Sequence, residues 1–111
     1  MTVNVKVLIP AKIAEAAQTT QYTASGVTTL IDKFTATNYG TAAATISVNL
    51  VTSATVSSSA NLIVKTKTLQ AGEAYTFPEI VGAALAAGDF ISTLAGTATT
   101  INIRASGREI S

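Results

Sequence analysis

Two acidic residues at similar turns are the first candidates for chemistry in this sequence. Leu69-Gln-Ala-Gly-Glu73 and Leu85-Ala-Ala-Gly-Asp89 share the pattern Leu-x-Ala-Gly-acid, sixteen residues apart. Paired carboxylates, with Glu79 as a third candidate, would suit a calcium site or glycoside hydrolysis. A calcium site needs several clustered oxygen ligands, and the whole chain has only six Asp and Glu. We therefore interpret both segments as turns, in which glycine takes a positive φ and the acid accepts a hydrogen bond from a backbone N–H.

Other kinds of active site lack their essential residues. The chain has no histidine, no cysteine and no tryptophan. A serine nucleophile needs a neighbouring base, zinc sites are built largely from Cys and His, and neither a P-loop nor a GxGxxG motif occurs. We therefore predict that the protein is not an enzyme and that it holds no metal or cofactor.

Several basic and aromatic residues are candidates for binding a partner rather than for catalysis. Lys65 and Lys67 alternate within a predicted strand, so both are expected on its solvent-facing side. They would dock on an acidic surface, or they would form a solvated face that protects an edge strand. Arg104 and Arg108 would bind a partner or pair locally with Glu109. The candidate partner contacts are Lys65, Lys67, Tyr39, Arg104 and Arg108.

The pattern of the chain predicts strands throughout. Thr, Ile and Val, which favour strands, make up 38 of the 111 residues. Turn signals recur at intervals of roughly 8 to 12 residues, which is typical of a sandwich, jelly roll or small barrel. We predict an all-β fold, a single small antiparallel β-sandwich or jelly roll of about eight short strands, in one domain covering residues 1–111. The predicted strands include Thr2–Ile9, Thr28–Thr37, Thr45–Val51, Leu62–Leu69, Ala74–Phe77, Phe90–Leu94 and Thr99–Ala105.

The N-terminal segment Thr2–Ile9 has the most regular alternation. Val3, Val5, Val7 and Ile9 share one face, which we expect to be buried. Pro10 is expected to end the strand or to hold it at an edge, and Ala11–Ala17 to form a short helical turn. Three placements remain open for Thr2–Ile9: an internal strand, an edge strand, or an N-terminal arm that pairs with a neighbouring molecule.

The bulk composition indicates surface that is covered by a partner or by copies of the chain. Charged residues make up 12% and apolar residues 48%, with a net charge of +1, and the mean hydropathy is +0.43. Small Ala and Thr side chains, which raise the mean hydropathy without forming an exposed apolar patch, are the alternative explanation.

The near-neutral net charge argues against a protein whose main role is to bind nucleic acid. No run of 18 apolar residues predicts a transmembrane helix, and the N-terminus lacks the pattern of a secretory signal.

The turns and strand ends of the second half form a wider pattern. Its segments are Asn61–Thr66, Leu69–Glu79, Leu85–Ile91 and Ile101–Ile110, and Ile31–Leu50 fits with them. This pattern resembles small β-sandwich virion proteins of tailed bacteriophages and prophages. In particular, the chain is similar to the capsid decoration, or cement, proteins of podophages.

The resemblance implies a structural role on the outside of a virion capsid. Such a protein would bind the assembled shell where major capsid subunits meet and would clamp neighbours together. Its partners would be the major capsid protein and copies of itself, in a homo-oligomer or symmetric array, without direct contact to nucleic acid or membrane. It would be made in the cytoplasm of the bacterial host.

Other proteins of this build serve in tails, necks or fibres, which gives an alternative function. A tail-associated domain would recognise a glycan on the host surface. Glycan binding usually relies on exposed aromatic rings, and the chain has three Phe and three Tyr. Because Phe34, Phe77 and Phe90 are predicted in the core, the capsid role is favoured over glycan recognition.

Overall fold

Two antiparallel sheets of nine strands form a β-sandwich. The structure is a computed structural model that describes residues 1–111. One sheet has five strands in the order β1-β9-β3-β6, with β7 also paired to β3, and the other has four in the order β2-β8-β4-β5. The strands are β1 (Val3–Ile13), β2 (Thr19–Thr23), β3 (Thr28–Asn38), β4 (Ala44–Val51), β5 (Leu62–Leu69), β6 (Ala74–Thr76), β7 (Ala84–Leu85), β8 (Phe90–Ala95) and β9 (Ile101–Ile110). The predicted all-β sandwich is confirmed.

The core fills the space between the two sheets with branched aliphatic side chains and two phenylalanines. Ile46 and Val48 of β4, in one sheet, and Ile101 and Ile103 of β9, in the other, are all buried in the same cluster. The Phe34 and Phe77 rings pack edge to face, with centroids 5.2 Å apart, a favourable geometry for an aromatic pair. One continuous cluster of buried side chains therefore holds both sheets, as expected for aligned sheet packing.

The two repeated turns are built alike. In the first, the Glu73 carboxylate accepts a 2.7 Å hydrogen bond from the backbone N–H of Gln70. In the second, the Asp89 carboxylate accepts a 3.0 Å bond from the N–H of Ala86. Gly72 and Gly88, which precede the acids, have φ values of 78° and 91°. The interpretation of both segments as turns is confirmed, because each acid binds the N–H three residues before it.

A β-bulge at Asp32 decides which side of β3 faces the core. In the sequence the inward face is ambiguous, because Asp32 shares a parity with Leu30 and Phe34. The pairing with β9 shifts register between Ile31 and Lys33, so Asp32 is an extra residue in the strand. Ile31 and Phe34 consequently both point inward and are fully buried.

The N-terminal strand differs from the prediction in length and in facing. β1 continues through Pro10 to Ile13, and its pairing with β9 shifts register after Val7 and again after Ile9. Ile9 is buried, whereas Val3, Val5 and Val7 are 48%, 86% and 44% exposed. The expected buried valine face is therefore wrong, because a bulge separates the valines from Ile9. Of the placements left open, β1 takes that of an edge strand.

The helical turn predicted at Ala11–Ala17 is absent. Residues 11–13 extend β1, and the N–H of Ala14 then donates to the Ile101 carbonyl at 2.8 Å. The one helical element is a 3-10 turn at Ser59–Asn61, within the loop between β4 and β5. No helix of the protein has the length and apolarity needed to cross a membrane.

Candidate functional site

The outer side of the five-stranded sheet carries an open groove of about 330 Å³. Three cross-strand pairs of β3 and β9 form its floor, because residues directly opposite each other on two strands project from the same face. We call this set of six residues the docking face. The pairs are Lys33 with Ser106, Thr35 with Arg104, and Thr37 with Asn102.

The docking face is cationic because no acid neutralises Lys33 or Arg104. All six carboxylates of the chain are engaged elsewhere in the fold. Glu73 and Asp89 bind backbone N–H groups in their turns, and the Tyr75 hydroxyl donates to Glu79 at 3.2 Å. The other three form salt bridges, which are Lys6–Glu109, Lys12–Glu15 and Arg108–Asp32. The groove therefore presents two unpaired cations among hydroxyl and amide groups.

Arg108 lies on the same side of the sheet but has its own partner. Its guanidinium binds the Asp32 carboxylate with two hydrogen bonds of 3.1 and 2.9 Å. That carboxylate raises the pKa of Arg108. Local pairing with Glu109, one of the alternatives for Arg104 and Arg108, does not occur. Asp32 follows Leu30 by two positions on the outward face, and Leu30 lies directly opposite Arg108, so the Asp32 carboxylate is within reach of the Arg108 guanidinium.

Beyond Arg108, the outer side of the sheet becomes apolar. Val3, Val5 and Val7 lie opposite Ile110, Arg108 and Ser106 of β9, and therefore on the outward face. The row formed by Val5 and Arg108 continues to Leu30 of β3. The exposed surface thus has a valine-rich end on β1 and a cationic groove at the centre, with no other layer of the fold covering either.

The structure separates Lys65 from Lys67 and so corrects the expectation that they share one face. Thr66 has a φ of 45°, and the β4–β5 register shifts between Ile46 and Val48. Lys67 lies opposite the buried Ile46, on the core side of β5. From there its Nζ reaches the open side of the sandwich, 4.4 Å from the centre of the Tyr75 ring. Lys65 instead faces the outer side of the four-stranded sheet.

Tyr39 follows β3 directly, two positions beyond Thr37 of the docking face. Its side chain is 48% exposed, and its backbone N–H donates to the Thr100 carbonyl at 3.0 Å. Of the five predicted contacts, the structure thus places Arg104 in the groove, with Arg108 on the same face and Tyr39 next to its end. Lys65 and Lys67 lie on the other sheet.

Sequence reasoning missed Lys33. Its neighbours Thr35 and Thr37 continue its alternating row, which is the signal in the sequence. That signal is obscured by the bulge at Asp32, which reverses the parity of the strand. Only the pairing of β3 with β9 brings Lys33 close to Arg104, since 71 positions separate them along the chain.

The outer side of the four-stranded sheet carries a second, polar groove of about 340 Å³. Its amides and hydroxyls bind one another: Gln18 Nε2 donates to Ser92 Oγ at 2.8 Å, and Asn49 Nδ2 donates to Asn61 Oδ1 at 2.7 Å. Asn49 also donates to the carbonyl of Ser58, which anchors the β4–β5 loop over the sheet. The amide of Asn49 is therefore used to hold the loop.

The arrangement of acids and bases defines what these grooves can bind. No three residues of the Asp, Glu, His and Cys types cluster as metal ligands. The docking face offers cations, hydroxyls and an amide N–H, which bind carboxylates and carbonyl oxygens.

Comparison with known proteins gives no match to a family model, to a curated protein or to a solved structure.

Proposed function

We propose that this chain is a structural protein of a bacteriophage virion that decorates the outside of the capsid. In this role it binds an acidic protein surface, made where neighbouring major capsid subunits meet, through the docking face. The observation that carries the proposal is the unpaired cation pair Lys33 and Arg104 on an uncovered sheet face. The resemblance to decoration proteins supplies the identity of the partner.

A flat sheet face suits binding to a large assembled surface. The groove is open, and its side chains stand on the two central strands of a five-stranded sheet, so little backbone conformational entropy is lost on binding. A protein that binds the assembled shell but not the free subunits stabilises the shell by mass action. Repetition of the same contact over a symmetric shell adds strength by avidity.

The first test of this function is co-sedimentation with phage shells that lack the protein. We expect saturable binding at a fixed ratio to the major capsid protein, and no binding to free capsid subunits. Loss of binding as salt rises is also expected, since the contact is between charges. Absence from shells, together with binding to tail fractions or to a glycan array, would contradict the capsid role and support the tail-associated alternative.

The docking face itself is tested by charge reversal. Lys33→Glu combined with Arg104→Glu places two acids opposite an acidic partner, and we expect shell affinity to fall by roughly 100-fold because like charges across an interface cost several kcal/mol. The matched control is Lys65→Glu combined with Lys67→Glu: it makes the same change in net charge on the other sheet, and binding should not change. Equal loss of binding in the control would show that the docking face has no special role.

A further inference from the structure

The free edge of β1 is the least protected sheet edge in the molecule. The backbone N–H and carbonyl of Thr2 both form hydrogen bonds with Ser111, at the C-terminus of the same chain. Hydrogen-bonded and non-bonded pairs alternate along an antiparallel ladder. Asn4 and Lys6 therefore bond to β9 as well, and the backbone N–H and carbonyl groups of Val3, Val5 and Val7 point away from it.

The other edge strands are short or irregular, which disfavours pairing with a second chain. β6 and β7 have three and two residues, and short edge strands are poor templates. β5 is interrupted by two register shifts, and β2, with five residues, by one. In β1 the bulges and Pro10 protect only the half beyond Val7. From Val3 to Val7 the strand is regular, and its central residue Val5 is 86% exposed.

We infer that this edge pairs with the same edge of a second copy, giving a two-fold homodimer with one continuous ten-stranded sheet. The register that fits is centred on Val5. It places Val5 opposite Val5 of the partner and Val3 opposite Val7, so the outward-pointing backbone groups of all three residues are paired. Because successive side chains alternate, the valines of both copies form a single outward row.

The charges on β1 disfavour the neighbouring register that is centred on Lys6. Centred on Val5, the pairing sets Lys6 opposite Asn4 of the second copy, and no like charges meet. Centred on Lys6, it would place two lysines directly opposite each other, which is unfavourable. A two-fold pair closes on itself, because each copy uses its only unprotected edge, and so the assembly ends at two.

The dimer extends the docking role but does not depend on it. A two-fold axis perpendicular to the sheet leaves the outer sides of both copies facing the same way. Two docking faces are then presented to one surface, which gives bivalent attachment. Dimer formation is measured on the isolated protein, so its failure and the failure of shell binding are separate results.

The test is the mass of the free protein in solution, measured by sedimentation equilibrium over a concentration series. We expect a species of twice the chain mass of 11.3 kDa. Val5→Lys sets two like charges opposite each other at the axis, and should raise the dissociation constant by roughly 100-fold. Val5→Glu should do the same, while an equimolar mixture of the two variants should form a heterodimer.

The matched control is Val56→Lys, at a 76% exposed valine in the β4–β5 loop, and it should leave the dimer unchanged. A second variant, Val5→Pro, removes the N–H at the axis, which has no partner within the chain, so the fold is retained while the dimer weakens. Circular dichroism verifies the fold of each variant. A wild-type protein that is monomeric throughout, or a dimer indifferent to Val5→Lys, overturns the inference.

Discussion

Four polar side chains from four strands join the two sheets at one end of the sandwich. The Tyr22 hydroxyl of β2 donates to the Glu109 carboxylate of β9 at 2.5 Å, and lies 2.7 Å from the Thr29 hydroxyl of β3. Lys6 of β1 completes the group with a 3.3 Å bond to Glu109. Burial, and then the neighbouring carboxylate, raise the pKa of Tyr22 to about 12. The network therefore favours neutral Tyr22 and ionised Glu109.

The Glu109 network predicts an acid-sensitive component of stability. The hydrogen bond from Tyr22, followed by that from Lys6, lowers the pKa of Glu109 below its ordinary 4.5. A lowered folded-state pKa stabilises the fold above the unfolded pKa, and this contribution disappears as the pH falls through the folded value. Glu109→Gln should cost about 1.5 kcal/mol near neutral pH and less below pH 4.5. Urea unfolding across a pH series measures this, and an undiminished difference in acid would contradict it.

At the scale of the strand, glycine in the central strand β9 permits close approach to β3. Gly107 lies where the register shifts around Asp32, between β1 and β3. A Cβ there would overlap the carbonyl oxygen of Leu30 and meet Leu8 at 2.9 Å. The backbone of a paired strand cannot yield as a flexible side chain can. The bulge that exposes Lys33 and the glycine opposite it are therefore one local structure.

Gly107→Ala tests this close approach. We expect a loss of roughly 2 to 4 kcal/mol in the free energy of unfolding, because overpacking against backbone forces the strands apart. Ser106→Ala, one position earlier on the outward face, should change stability by less than about 0.5 kcal/mol. Denaturant unfolding of both variants gives the comparison. Equal stabilities of Gly107→Ala and the wild type would mean that β3 moves away at no cost.

At the scale of the whole molecule, one core serves both sheets. The cluster of 21 buried hydrophobic residues includes side chains from both sheets. Separation of the sheets would therefore expose the apolar face of each sheet to water. We expect one cooperative unfolding transition, with the same midpoint by far-ultraviolet circular dichroism and by tyrosine fluorescence. The midpoint should not move with a reductant, since the chain has no cysteine, or with a chelator, since no cluster of metal-ligating residues occurs. Two separate transitions would contradict the single core.

Local signals in the sequence are sufficient to predict the fold class and the turns. Alternating β-branched residues specify strands, and the Leu-x-Ala-Gly-acid segments specify their turns, because both signals arise from neighbours along the chain. Arg104, Arg108 and Tyr39 were also identifiable from the sequence as candidate partner contacts, although their positions relative to one another were not. These properties depend on local conformational preference and need no knowledge of pairing.

The side of each strand that faces the core depends instead on how the strands pair in the folded protein. An extra residue at Asp32, at Thr66 or after Val7 moves the side chains that follow it in the strand to the opposite side of the sheet. A bulge has no strong local signal in the sequence. That inversion exposes Lys33, separates Lys65 from Lys67 and turns the β1 valines outward. Facing is settled by hydrogen bonding between strands that are distant in the chain, so the candidate docking face and the free edge of β1 exist only in the folded sheet.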